Sequence, residues 1–159
     1  MRVLLIITKG EIGGAQISVL NLAKGLKKAE IDVTIGFGAG EFLKTELSKY
    51  QIPFHIFKTL KRTQHPIKNI SFVLELKNFL SKNKFSVVHF NSSNSLFGAI
   101  GAKLSRNKIK TVFTFHGLSV LDSNYNAPFV LKKIYQLVFE CLLSFIDKRI
   151  FVSKTNFEC

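Results

Sequence analysis

Short apolar runs alternate with longer stretches of helical period along the whole chain. Runs of strand length recur at Val3–Ile7, Ile31–Phe37, Phe54–Phe57, Ser86–Phe90, Thr111–Phe115 and Arg149–Val152, and six strands are predicted. Between them, Ala15, Val19, Leu22, Ala23 and Leu26 share one face of a first helix, and Phe72, Val73, Leu76, Phe79 and Leu80 share one face of a third. A weaker second helix is predicted over Glu41–Lys49, with Phe42, Leu43 and Leu47 as its apolar positions. A fourth is predicted from Ser95 to Ser105, capped by Asn94 or a neighbouring serine, and its Gly98, Ala99, Gly101 and Ala102 permit close packing on the sheet. Apolar strands separated by amphipathic helices are the pattern of a parallel sheet covered on both faces. The expected fold is therefore α/β, a Rossmann-like three-layer α/β/α arrangement with a mostly parallel six-stranded sheet.

The fifth helix, about Pro128 to Ile146, departs from simple amphipathicity. One apolar line runs through Val130, Ile134, Leu137, Val138, Cys141, Leu142 and Phe145, and a second through Leu131, Tyr135, Phe139, Leu143 and Ile146. Only a strip holding Lys132, Gln136, Glu140 and Ser144 is polar, so burial on two sides is expected: the sheet on one, and a further domain, a partner chain or a bilayer surface on the other. Gln136 and Glu140 in its middle argue against a membrane span.

At 159 residues and 47% hydrophobic content, the chain has enough apolar surface for one domain with a real core. Lys and Arg number 23 against 10 Asp and Glu, a formal charge of +13, which favours an anionic partner: nucleic acid, a phospholipid surface or a phosphorylated substrate. The lysines are scattered through every helix without arginine clusters or aromatic platforms, which disfavours nucleic acid. Cys141 lies in an apolar helical pattern and reads as a core thiol, and Cys159 is terminal, so neither a disulfide framework nor a metal spacing is present. The run Val3–Ile7 is too short for a signal-peptide core or a span, and the cytoplasm is the expected compartment.

The segment Thr8-Lys9-Gly10-Glu11-Ile12-Gly13-Gly14-Ala15 joins the first strand to the first helix. A buried strand that delivers glycines to a helix start leaves unpaired backbone N–H groups pointing at one spot, which favours an anion. The order G-x-x-G-G is not the dinucleotide fingerprint, and the second strand ends at Phe37-Gly38 with no acid to hold a ribose. The alternative for Gly13 and Gly14 is a tight turn that lets the helix pack near the sheet. In an open parallel sheet, ligands bind beyond the carboxyl ends of the strands, where the other candidate loops are Asn91-Ser92-Ser93-Asn94, His116-Gly117-Leu118-Ser119 and Ser153-Lys154-Thr155-Asn156. Helix capping competes with ligand binding as the role of Asn91 to Asn94. His116 directly follows a strand and is placed at that rim, whereas His89 lies inside the fourth strand and reads as a satisfied core histidine. His55 and His65 have no metal-site spacing, and Glu11 is the single carboxylate in these loops, so no metal is expected. A hydrolase triad also lacks its acid, since Asp122 reads better as a solvated loop residue.

Taken together, the strand-GlyGly-helix opening, Val87-Val88-His89-Phe90-Asn91-Ser92-Ser93, Val112-Phe113-Thr114-Phe115-His116-Gly117 and Ile150-Phe151-Val152-Ser153 resemble the N-terminal domain of family 4 glycosyltransferases, with the bacterial capsule and exopolysaccharide branch the nearest look. The resemblance implies one half of a GT-B fold: two Rossmann-like domains facing across a cleft, without metal or cofactor, moving a sugar from a nucleotide-diphosphate donor with retention of configuration. It implies that Gly13, Gly14 and Ser153 approach the donor phosphates, that His116 is the catalytic contact near the reacting carbon, and that Asn91, Ser92, Ser93 and Gly117 lie on the acceptor side. Asn91 and Asn94 stand where that branch usually has a second histidine and a lysine. The family continues beyond the position of Cys159 into a donor-binding domain, so residues 1–159 are expected to be the acceptor-binding domain, inactive without a donor domain or a separate donor subunit. A lipid-linked saccharide is the expected acceptor, with peripheral placement at the inner face of the plasma membrane. The competing expectations are a non-catalytic, membrane-associated partner subunit of a split enzyme and an unrelated flavodoxin-like nucleotide-binding domain.

Overall fold

At the middle of the sheet lies β1 (Arg2–Ile7), in which every residue from Val3 to Ile7 is at most 5% exposed. A strand buried on both faces needs apolar residues at consecutive positions, and that is what the sequence supplies. The computed structural model describes residues 1–63, 69–105, 107–116 and 129–152. Chain order continues through α1 (Gly14–Lys28), β2 (Asp32–Phe37), α2 (Glu41–Lys49), β3 (Phe54–Ile56), α3 (Ile70–Lys82) and β4 (Val87–Phe90). A 3₁₀ turn, Ser95–Phe97, then runs into α4 (Gly98–Leu104), followed by β5 (Lys110–Phe115), α5 (Phe129–Leu143) and β6 (Lys148–Phe151). The strands lie in the order β3-β2-β1-β4-β5-β6, and each neighbouring pair is parallel. That order reverses between β1 and β4, as in doubly wound sheets.

Alternation along the strands divides the core in two. Val3, Leu5 and Ile7 of β1 join Val33, Ile35 and Phe37 of β2 under Val19, Leu20 and Ala23 of α1 and Leu43 and Leu47 of α2. Leu4 and Ile6 face the other way, with Val88, Phe90, Phe113 and Phe115, against Phe72, Leu76 and Leu80 of α3, Ala99 and Ala102 of α4, and Leu142 beside Ile146 at the end of α5. An aromatic cluster fills this second layer, in which Phe57 meets Phe72 and Phe79 edge-on at centroid distances of 5.5 and 5.3 Å. β6, at one border of the sheet, is fastened to β5 through Thr111, whose N–H donates to the Asp147 carboxylate at 2.7 Å and whose hydroxyl lies 2.8 Å from the Phe145 carbonyl. The backbone N–H bond from Thr111 is also what holds the Asp147 carboxyl below the usual carboxylate range.

Several expectations change in the folded chain. α1 is rotated so that Leu20 is buried and Leu22 is 39% exposed, because the covered stripe follows Val19, Leu20 and Ala23. Asn94 caps nothing: its side-chain amide donates to the Thr63 carbonyl at 2.6 Å, and the helix beyond it starts through backbone bonds. The small residues of α4 admit a helix as well as the sheet. A Cβ on Gly101 would stand 2.6 Å from the Val73 carbonyl oxygen of α3, and one on Gly98 would meet Leu76, Phe90 and Phe72 side chains. α5 is covered on one side, by way of Leu142 and partly buried Val138, Phe139, Leu143 and Phe145, while Ile134 and Leu137 are 48% and 60% exposed. Cys141, expected in the core, is exposed on that outer side. The side chains of Val130 and Leu131, and residues 64–68, which include His65, lie outside the described residues.

The contrast among helical glycines gives a stability test. Gly101→Ala forces α4 away from the α3 backbone and is expected to destabilise the fold by about 1–3 kcal/mol. Gly25→Ala, in a part of α1 where a Cβ meets nothing within 4 Å, is expected to stabilise it by about 0.5–1 kcal/mol. Urea midpoints of the two variants, moving in opposite directions, check both.

Candidate functional site

Where strand order reverses, α1 leaves to one face of the sheet and α4 to the other, so the loops after β1 and β4 part above the carboxyl ends of the strands, the position of the ligand crevice in doubly wound sheets. Hydrogen bonds close its floor. The N–H of Thr8 donates to Ser92 Oγ at 2.9 Å, and the two hydroxyls lie 2.7 Å apart. The Asn91 N–H donates to the Ile6 carbonyl at 2.8 Å, which carries the β1–β4 ladder one residue beyond the strand. From β5, His116 brings Nε2 to 3.4 Å from Asn91 Oδ1. Residues from three loops far apart in sequence thus form one continuous rim.

The first loop is held by its glycine neighbours. Gly10 donates its N–H to the Ala39 carbonyl and accepts from Leu43 N–H, both at 2.8 Å, and a Cβ on it would strike the Phe37 ring. Gly40 has φ +137°, a conformation side chains resist, and packs its α-carbon against the Gly10 backbone. Gln16 then folds back, its amide donating to the Lys9 carbonyl at 3.1 Å. Gly14 has no such internal duty, and Gly13 bears only on the Gln16 side chain that clamps Lys9. Gly13 is extended, with φ 179°, a Cβ on Gly14 would meet nothing within 4 Å, and one on Gly13 would meet only the end of the Gln16 side chain. Packing near the sheet does not require glycine at either place. The start of α1 carries no side-chain cap and no acidic residue in its first turn, so its leading N–H groups are open to an external acceptor. Lys9 and Glu11 form an exposed ion pair at 2.9 Å, which contributes little to holding the loop.

The second and third loops separate into buried and accessible groups. Asn91 is 2% exposed and lies beneath the rim, its amide donating to the His89 carbonyl at 3.0 Å and approaching the Ile6 carbonyl at 3.5 Å. Ser92 is engaged with Thr8, and Ser93, next to it in the loop, is half-buried. Ser95, fully buried, bonds back to Ser92. His89 is a core histidine in the structure too: Nε2 lies 2.6 Å from Thr114 Oγ1, and burial, with the nearby His116 adding to it, pushes the ring down to about 4. Burial also lowers His116, and burial lowers His55 against a smaller opposing pull from Glu75. At neutral pH the rim is therefore dipolar: helix N–H groups, hydroxyls, an amide and an uncharged imidazole. Gly117 and Ser153 lie outside the described residues. Thr8 was not singled out by its motif, although a hydroxyl residue directly after a buried strand is the available signal.

An open depression of about 310 Å³ occurs at the opposite, amino-terminal end of the strands, lined by Arg2, Lys27, Asp32, Gln51 and Pro53 among others. Its lysine is already committed, donating to the carbonyls of Tyr50 and Gln51 at 2.8 and 3.0 Å. Among the described residues, no helix is long and apolar enough to cross a membrane.

The profile of Glycosyltransferase Family 4 matches residues 12–156. No curated protein sequence matches the chain. Solved structures share its fold. HepE of Anabaena, in complex with UDP and glucose, superposes with a TM-score of 0.69 at 20% identity, over 94% of this chain and 37% of HepE. The lipopolysaccharide outer core galactosyltransferase WaaB, in its apo form, gives 0.70 at 13% identity, over 99% and 41%. A putative UDP-N-acetylglucosamine 2-epimerase from Listeria monocytogenes gives 0.68 at 14% identity, over 99% and 40%. The chain thus spans about two fifths of the length of these structures.

The buried imidazole fixes the direction of the acid response. Between pH 6.5 and about 4 the unfolded chain binds a proton at residue 89 that the folded chain refuses, so stability is full above 6.5 and falls through that window. The loss from this residue is expected to reach about 3 kcal/mol, with His116 and His55 acting in the same direction. Urea denaturation at a series of pH values checks it, and His89→Gln should flatten the slope in this window while leaving the steeper carboxylate-driven loss at lower pH.

Proposed function

The chain belongs to glycosyltransferase family 4, and from that premise we propose that residues 1–159 are the N-terminal, acceptor-side half of a GT-B enzyme that moves a sugar from a nucleoside-diphosphate donor to an acceptor hydroxyl. The observation that carries this reading is the single rim formed by the loops after β1, β4 and β5. Its groups suit a departing diphosphate. As the glycosidic bond breaks, negative charge builds on the leaving phosphate, and fixed N–H dipoles at the α1 terminus stabilise it without reorganising. Glycine at 13 and 14 lets phosphate oxygens come close to those N–H groups, a use of glycine that internal packing does not supply. His116, uncharged and half-buried, offers the sugar a hydrogen-bonding partner beside the reacting carbon.

The second wall of the crevice is a donor-binding domain, on the same polypeptide or a separate subunit, and this half has no transferase activity without it. HepE, which binds UDP and glucose, is far longer than this chain, in keeping with that division. A metal-independent reaction, as the family resemblance implies, is supported by the dipoles the rim presents to the phosphates and by Glu11, the one carboxylate on the rim among the described residues, being engaged by Lys9. Ser93 and the loop beyond His116 receive the acceptor, for which a lipid-linked saccharide of a surface polysaccharide suits the excess of 23 basic over 10 acidic residues at an anionic membrane face.

Fusion or mixing with the donor-binding half of a family 4 enzyme, assayed against a panel of nucleoside-diphosphate sugars, tests the proposal. Acceptor-dependent release of nucleoside diphosphate is expected, with His116→Ala lowering kcat about 100- to 1,000-fold. Gly14→Ala should leave the melting temperature unchanged or higher, because its methyl meets open space, yet raise the KM for donor. Absence of transfer in every pairing, or full activity of the His116 variant, overturns the reading.

A further inference from the structure

Asn91 has the burial of a core residue and the position of a site residue. At 2% exposure its side chain cannot meet a substrate directly, yet its oxygen reaches the one imidazole on the described rim. The amide has no freedom to flip. Its nitrogen can only donate, and the His89 and Ile6 carbonyls that surround it, at 3.0 and 3.5 Å, can only accept. Reversal would press Oδ1 against two carbonyl oxygens inside the sheet. Oδ1 is therefore turned outward, 3.4 Å from His116 Nε2. A carbonyl oxygen accepts and never donates, so a neutral ring that satisfies it carries its hydrogen on Nε2 and keeps the lone pair on Nδ1.

We infer that Asn91 is a positioning residue that orients His116 and locks its Nε2–H tautomer, so that Nδ1 is the ring nitrogen offered to a hydroxyl of the sugar substrate. Its functional meaning rests on the proposed role of His116, whereas the tautomer is a property of this chain alone. The device is built from the backbone outward. β1 and β4 are in parallel register, with Ile6 opposite Phe90, which places the Ile6 carbonyl beside residue 91. The β4–β5 pairing then brings the end of β5 alongside, so that His116 follows Phe115 onto the same rim. Each partner of the amide is thereby fixed by the sheet itself.

Nitrogen-15 NMR of the histidine-labelled chain, with His116 identified from its loss in His116→Gln, reads the tautomer directly. One Nε2–H form is expected, with its ring proton protected from exchange with water. Asn91→Val should remove that protected signal while amide spectra show the fold retained. A proton on Nδ1 in the unaltered chain overturns the inference without any need for the variant, and so does an unchanged protected signal in Asn91→Val. In the donor-complemented enzyme, Asn91→Val should lower kcat about 10- to 100-fold with little change in KM, and have no further effect once His116 is alanine. If no transfer is found in any pairing, the proposed function fails and the spectroscopic result still decides the role of Asn91.

Discussion

The site depends on two parallel strands that lie side by side and send their chains in opposite directions. β1 continues toward α1 on one face and β4 toward α4 on the other, so the backbone just beyond them must part. Parting takes backbone groups beyond the reach of the ladders, and short polar side chains cluster there: the Thr8 N–H bonds the Ser92 hydroxyl, and the Asn91 amide adds side-chain bonds to the His89 and Ile6 carbonyls. The same groups that close the floor of the gap define its walls. Because β1 is apolar on both faces and locked between two core layers, the rim stands on a support with little freedom to shift.

Much of this was legible in the chain itself. The strands are found within one or two residues of their apolar runs, and α2 at its expected limits, because each run is bounded by turn residues and its length excludes a buried helix. What period alone could not give was rotation: Leu20 and Leu22 are equally apolar, and only the docking of α1 over Val33 and Ile35 chooses between them. Asn94 shows a second limit. Its place before a helix fits a cap, but Thr63 offers a carbonyl from another part of the chain, a tertiary contact that local pattern does not encode. For the site, the alternation of strands and helices placed His116 and the glycines of the first loop at one end of the sheet. It did not reveal that Asn91 lies under the rim, since burial at the last step of a strand depends on how far the neighbouring ladders extend.

The excess of positive charge in the composition and the polarity of the rim are different things. The described lysines are spread over helices, loops and strand starts, whereas the floor beneath the rim holds dipoles and uncharged rings. Fixed dipoles act weakly on an anion in open water and strongly once solvent is displaced, so a rim of this kind holds an anion best where water is excluded. The scattered lysines act over longer distance, drawing anions toward the molecule without specifying where they settle.

β6 lies at the margin of the described sheet, with β5 its one neighbour in the strand order. Such a margin is a template for a second copy, and the residues on it decide whether that happens. Lys148 and Arg149 are both exposed there, beside Ile150 at 44% exposure. Two molecules approaching margin to margin would bring like charges together before any backbone bond could form. Cations beside an apolar side chain at a sheet margin work against edge-to-edge association.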